Sequence, residues 1–147
     1  MSDFILEKFL PYKLAVLAGL VSDRFAQEYQ QQFDISVPEW RVIAHLSQAE
    51  KISIREIYQK VGMDKPKTSR AAARLVEAGY VSKKINSGDK RLIELALTAK
   101  GRAMMAKITP ISHTFQADFL KRLTPDQKMM FTDIIDVLLT DLGDPTS

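Results

Sequence analysis

Lys67, Arg70 and Arg74 recur at three- and four-residue intervals, the spacing that places side chains on one face of a helix. Their chemistry is that of polyanion binding. From a helix laid in a major groove about 12 Å wide, such side chains reach guanine acceptors or phosphate oxygens. Lys65 lies just before them, and Thr68 and Ser69 offer hydroxyls near the same helix start. A second basic group follows, with Lys83 beside Lys84 and Lys90 beside Arg91. Asp89 stands two residues before Arg91, where a carboxylate can brace a guanidinium in one orientation. A cation presented in that way suits the enhanced negative potential of a narrow minor groove.

The charge is distributed to match. Between Ser53 and Arg91 there are ten basic and four acidic side chains, a local charge of +6. The remaining residues carry 11 basic against 14 acidic groups, or −3, which leaves +3 for the whole chain. A basic centre in an acidic remainder suggests a polyanion-binding lobe joined to segments with another task.

Other chemistries are poorly supplied. The 147 residues include no cysteine, which excludes disulfides, thiolate metal sites, a cysteine nucleophile and a thiol redox sensor. His45 and His113 stand apart, with no His-x-x-x-His or Glu-x-x-His pairing, so neither a metal nor a cofactor is expected. There is no nucleophile elbow, Walker loop or dinucleotide glycine pattern, and the sequence reads as a non-enzyme. The longest apolar stretch, Leu14 to Val21, falls short of the ~20 residues that cross a bilayer. No signal-peptide pattern surrounds it, so a cytoplasmic protein with no membrane partner is expected. Apolar residues make up 46% of the chain, enough for a packed core.

Helix signals position the basic groups. Leu14, Leu17, Ala18, Val21, Phe25 and Tyr29 follow helical periodicity behind Pro11 and predict a first helix from about Pro11 to Gln32. Capping-box patterns at Ser36-x-x-Glu39, Ser53-x-x-Glu56 and Thr124-x-x-Gln127 mark three further starts. Asp64 caps a fourth helix that ends at Gly79, with Pro66 in its first turn. Its predicted inward face is Thr68, Ala71, Ala72 and Leu75, which turns Lys67, Arg70 and Arg74 outward. The period then changes to two across Val81, Lys83 and Ile85 and again across Ile93, Leu95 and Leu97, a β-hairpin with its turn at Ser87 to Lys90. Thr98 opens another helix that Pro110 should bend or break, and a last helix follows Thr124. The fold class is thus mainly α with a small β-hairpin. A winged helix-turn-helix lobe at residues 36–98 lies between an N-terminal helical segment, 1–35, and C-terminal helices, 99–147. The final residues, 143–147, are expected to fray.

Leu75-x-x-x-Gly79-Tyr80-Val81-x-Lys83, then Asp89-x-Arg91, then Leu97-Thr98-x-x-Gly101 resembles the core signature of the MarR family of transcriptional regulators, and the order of elements matches over nearly the whole chain. Lys83 stands where that family commonly has Arg, which keeps the charge without the bidentate geometry. The resemblance implies that the fourth helix is a recognition helix, that the hairpin is a wing and that the terminal helices form a homodimer. It further implies that a small, often aromatic or anionic ligand weakens DNA binding. The long apolar stripes, with Phe25, Phe115, Phe119 and Phe131, support the dimer independently.

On this reading the partners are double-stranded DNA carrying a pseudo-palindromic operator, a second copy and a small effector. The DNA-binding set is Lys65, Lys67, Thr68, Ser69, Arg70, Arg74, Lys83, Lys84, Lys90 and Arg91, with Asp89 as the wing brace. Trp40, His45 and His113 are the effector candidates, although the spacing of Trp40 better suits a core anchor and the two histidines better suit surface or satisfied core positions. The alternatives are a helical protein-interaction module that no longer binds DNA and a nonspecific architectural binder.

Overall fold

The computed structural model describes residues 3–89 and 92–143. It divides into two compact units, one ending at Ile111 and one beginning at Ser112.

In the first unit a short 3₁₀ turn, Leu6–Lys8, precedes α1, Leu10–Phe33. Pro11 sits in the first turn of α1, where its missing N–H costs nothing, and Asp34 ends the helix in the left-handed region at φ 52°. The helix exceeds the predicted span by one residue at each end. α2 (Val37–Leu46) begins with a complete capping box. The Ser36 hydroxyl accepts the Glu39 N–H at 3.2 Å, and Glu39 Oε2 accepts the Ser36 N–H at 2.8 Å. α3 (Ile54–Lys60) starts after Ser53 with half of the expected box, since Glu56 accepts from the Ser53 hydroxyl.

α4 (Lys65–Glu77) is capped by Asp64, whose Oδ1 accepts the Lys67 N–H at 2.8 Å. At its other end Tyr80 N–H reaches Leu75 O and Gly79 N–H reaches Val76 O, both at 3.0 Å. This is a Schellman closure, and it requires the left-handed φ of 86° that Gly79 adopts. The closure turns the chain from α4 into strand across three residues.

The expected hairpin is present as β2 (Val81–Ile85) and β3 (Ile93–Leu97), but the sheet has three strands. Ile52–Ser53 forms an edge strand, β1, antiparallel to β3 with Ile52 opposite Leu95 and Ser53 opposite Glu94, in the order β1-β3-β2. A two-residue strand carries no period of its own, so nothing local announced it. The sheet closes one side of a core made of Tyr29 from α1, Ile43 and Leu46 from α2, Ile57 from α3, Leu75 from α4 and Ile108 from the last helix of this unit.

That helix, α5, runs from Ala99 to Leu120 as one element with Pro110 inside it, so of the expected bend or break the break does not occur. One lost N–H is a local defect that the flanking turns of a long helix can absorb. The division between the two units nevertheless falls one residue beyond Pro110. The N-terminus of α5 clasps the corner between α4 and β2. Thr98 Oγ1 donates to Gly79 O at 2.6 Å, Thr98 N–H donates to Tyr80 O at 3.0 Å, and Lys100 Nζ donates to Ala78 O at 2.8 Å. Gly101 is buried there because a Cβ on it would stand 2.1 Å from Tyr80 O. The Leu-Thr-x-x-Gly run is thus explained by packing and hydrogen bonding.

The second unit holds the end of α5 and α6 (Pro125–Leu142). The Thr124 capping box is complete, and Phe119 meets Phe131 edge-on at 6.5 Å. No residue of α6 is buried.

Candidate nucleic-acid interface

α4 has the predicted two faces. Thr68, Ala71, Ala72 and Leu75 are buried, and Lys67, Arg70 and Arg74 are exposed on the other side. Two alanines on the inward face let α4 lie close against its neighbours, with a threonine filling the remaining space. That burial corrects one expectation. Thr68 is fully buried and its hydroxyl donates to Asp64 O at 3.0 Å, so it serves the first turn of the helix and has no route to a duplex.

Scaffold side chains hold the outward residues. Ser69 is half-buried, and its hydroxyl shares a 2.6 Å hydrogen bond with the Tyr58 hydroxyl of α3. The Lys65 ammonium lies 6.0 Å from the centre of the same Tyr58 ring, at the outer reach of a cation–π contact. Glu39, one of two buried polar residues among those described, places Oε1 3.8 Å from Arg74 Nε. The sequence marked Glu39 only as a cap, and Tyr58 carries no local signal of this contact. Contacts with residues 11 and 35 positions away leave no local pattern.

The wing is organised by Asn86, which the sequence did not single out. Its Oδ1 accepts the N–H groups of Gly88 at 2.8 Å and Asp89 at 3.0 Å, and its Nδ2 donates to Glu94 Oε1 at 2.6 Å. An asparagine bonded to backbone two and three residues on preforms a turn. The Asn86 amide, reinforced by Lys51 at 3.4 Å and by the charge of Lys84, holds the Glu94 carboxyl below the usual carboxylate range. Lys84 stands opposite Glu94 in the ladder and Lys83 opposite Leu95, and both lysines are exposed. Lys83 therefore carries its charge with no acidic cross-strand neighbour, whereas that of Lys84 is partly offset. Asp89 is half-buried within the turn; Lys90 and Arg91, the two cations of the wing tip, lie outside the described residues.

The effector candidates are placed apart. Trp40 packs edge-on to Phe25 at 5.2 Å and lies 5.5 Å from Tyr29, an aromatic cluster that joins α1 to α2. Burial there pushes the Tyr29 hydroxyl up to about 12. His45 lies at the far end of α2, turned toward α3. Burial and then the charge of Lys60 lower its pKa from the ordinary imidazole value, against a hydrogen bond with the Lys60 backbone. His113 is exposed and belongs to the second unit. Two shallow clefts flank the sheet around Lys51 and Glu94, and none of these three side chains lines either one. Among the described residues no cluster of three or more His, Asp or Glu side chains could hold a metal ion, and no helix is long and apolar enough to cross a membrane.

Residues 33–92, which run from the end of α1 to the wing, match the family model described as MarR family. Over that stretch the chain is similar to the MarR family. A curated relative, the HTH-type transcriptional regulator PapX of Escherichia coli, is 28% identical over 119 residues, covering 80% of this chain and 73% of its own. A MarR mutant of Escherichia coli solved with operator DNA is 24% identical and superposes with a TM-score of 0.79 over 94% of this chain and 99% of its own. Bordetella bronchiseptica BpsR, whose DNA binding is described as regulated by 6-hydroxynicotinic acid, superposes with a TM-score of 0.81 at 16% identity, over 97% of this chain and 99% of its own. At these identities the superpositions establish the fold, a MarR winged helix. The curated relatives PapX of Escherichia coli and TcaR of Staphylococcus aureus are HTH-type transcriptional regulators.

Proposed function

We propose that this protein is a homodimeric, cytoplasmic DNA-binding transcriptional regulator, a repressor released by a small ligand. The observation that carries the reading is the one-sided basic face of α4, with Lys67, Arg70 and Arg74 outward from a helix whose other face is buried. Operator DNA on the structurally similar Escherichia coli protein supports it. In this arrangement Lys65, Lys67, Ser69, Arg70 and Arg74 meet the major groove or its phosphates. Lys83 and Lys84 face the backbone beside the wing, while Lys90 and Arg91 enter the minor groove with Asp89 as brace.

The chain works in three parts on this reading: an N-terminal pairing segment, the winged lobe and C-terminal pairing helices. Support for the pairing comes from α1 and α6 taken separately. α1 exposes Leu10, Leu14, Leu17 and Leu20, and α6 exposes Met130, Ile134, Leu138 and Leu139, more apolar surface than a monomer of this size commonly leaves in water. Two copies related by a two-fold axis would present recognition helices to major grooves about 34 Å apart on a pseudo-palindrome. A ligand acts by preferring one separation of the two recognition helices, since equal affinity for both shifts nothing. The regulated DNA binding of BpsR supports such a ligand. Of the effector set, the partly exposed ring of Trp40 beside Phe25 offers an aromatic surface.

The test is selection of bound duplexes from a random pool, followed by titration at two salt concentrations. A recovered half-site with affinity that falls steeply as salt rises is the expected result. Absence of duplex binding would refute the reading and favour a protein-interaction module. Equal affinity for selected and random duplexes would favour an architectural binder.

A further inference from the structure

Glu39 does two jobs with two oxygens. Oε2 closes the α2 capping box by accepting the Ser36 N–H at 2.8 Å, and it also takes the Ser36 hydroxyl. Oε1 stands 3.8 Å from Arg74 Nε on the recognition helix. The two partners differ sharply in exposure, with the Glu39 side chain 6% accessible and that of Arg74 70%. A carboxylate withdrawn from water needs its neighbours' donors, and the cap fixes its position to within the geometry of one helical turn. A guanidinium can offer Nε to one carboxylate while its terminal nitrogens remain available, because its donors are arranged as a rigid fork.

We infer that Glu39 is a positioning residue for Arg74: a buried carboxylate, anchored by its own helix cap, that aims the Arg74 fork outward from α4. The inference rests on the reading of α4 as a DNA-reading helix. It separates the outward cations by role. Arg74 is directed by a fixed negative charge from the scaffold, whereas Lys67 and Arg70 make no side-chain ion pair with any described residue. An aimed fork contributes to discrimination between sequences, while cations without a fixed orientation contribute mainly to affinity for any phosphate backbone.

The decisive variant is Glu39→Gln in the full chain. Glutamine serves at this position of a capping box, so α2 keeps its start while the charge opposite Arg74 disappears. Simple electrostatics predicts that deleting a negative charge strengthens binding to every duplex. The positioning role predicts a different result: affinity for random duplex holds or rises, while the ratio of selected to random affinity falls by roughly fivefold. In an Arg74→Ala background, Glu39→Gln then leaves that ratio unchanged, because the group it aims is gone. Arg74→Lys, which does not touch the cap, also lowers the ratio, since an ammonium has no fork to aim. A Glu39→Gln protein that melts as the wild type does and keeps the wild-type ratio overturns the inference alone. So does a ratio retained by Arg74→Lys. A wild-type protein that selects no duplex overturns the regulator reading, and the inference with it.

Discussion

α4 and α6 begin alike, each with a polar N-cap and a proline in the first turn, and end in opposite relations to the chain. α4 buries four residues in its own unit and turns cations to solvent. α6 buries none and leaves Met129, Met130, Ile134, Val137, Leu139 and Leu142 well exposed. For α4 the apolar face is already satisfied, so function falls to the polar face. For α6 the apolar face is what remains unsatisfied, and any function it has begins there. The contrast separates the surface proposed to read DNA from the surface proposed to join copies.

The largest expected effect breaks the joining side only. Ile134→Glu with Leu138→Glu should convert a dimer to monomers at micromolar concentration in sedimentation, because two charges in an apolar interface cost several kcal/mol, on the order of a hundredfold or more in affinity. Circular dichroism of the lobe should keep its melting transition. An unchanged sedimentation coefficient would show that α6 does not join copies.

Next comes the corner that positions α4. Gly101→Ala should destabilise the protein by about 3 kcal/mol or more, since the new methyl collides with the Tyr80 carbonyl, which accepts the Thr98 N–H and cannot yield as a flexible side chain would. Denaturant melts that coincide with wild type would contradict the 2.1 Å approach to Tyr80 O.

Arg70→Ala probes the reading side. It should weaken selected-duplex affinity by about tenfold in a gel-shift titration while stability stays within about 0.5 kcal/mol, as for exposed positions generally. A loss of stability without a loss of affinity would reverse the roles assigned to the two faces of α4.

The smallest effect is a pH dependence of the lobe. His45 has a lowered folded pKa because burial and Lys60 disfavour its charged form, so the unfolded chain takes up the proton first as pH falls. Stability from this group is therefore fully present above the ordinary imidazole value of about 6.5 and is lost as pH falls from there through the lower folded value. Denaturant midpoints measured from pH 7.5 downward should decline in that window and flatten in His45→Gln. The Glu94 carboxyl, held low chiefly by Asn86, adds its own loss only in the more acidic carboxylate range.

These contrasts also mark what the sequence could carry. The two faces of α4, its Asp64 cap and its Gly79 stop were legible because each is set by residues within one or two turns. The same holds for the capping boxes at Ser36 and Thr124. Thr68 counted both as inward and as a DNA contact, and only burial decided between the two. β1 was illegible because a two-residue strand exists only through its partner some forty positions later. Tyr58 with Ser69, and Glu39 with Arg74, were hidden for a related reason: Glu39 already had a sufficient local explanation as a cap, and in both pairs the partner comes from the packing of helices. Asn86 escaped notice because an asparagine before Ser-Gly-Asp reads as ordinary turn composition until its amide is seen to hold three groups at once.

The clasp that α5 makes on residues 78–80 has a consequence for how such a protein can evolve and be tuned. With Thr98 and Lys100 bonded to three successive carbonyls, α4 and the strand β2 are tied together at the corner that joins them. If α4 reads DNA in a dimer as proposed, the vocabulary of a half-site and the distance between half-sites become separate variables. On that proposal, substitutions on α4 would rewrite the first without disturbing the second, and changes in the helices proposed to pair would retune the second while base preference is kept.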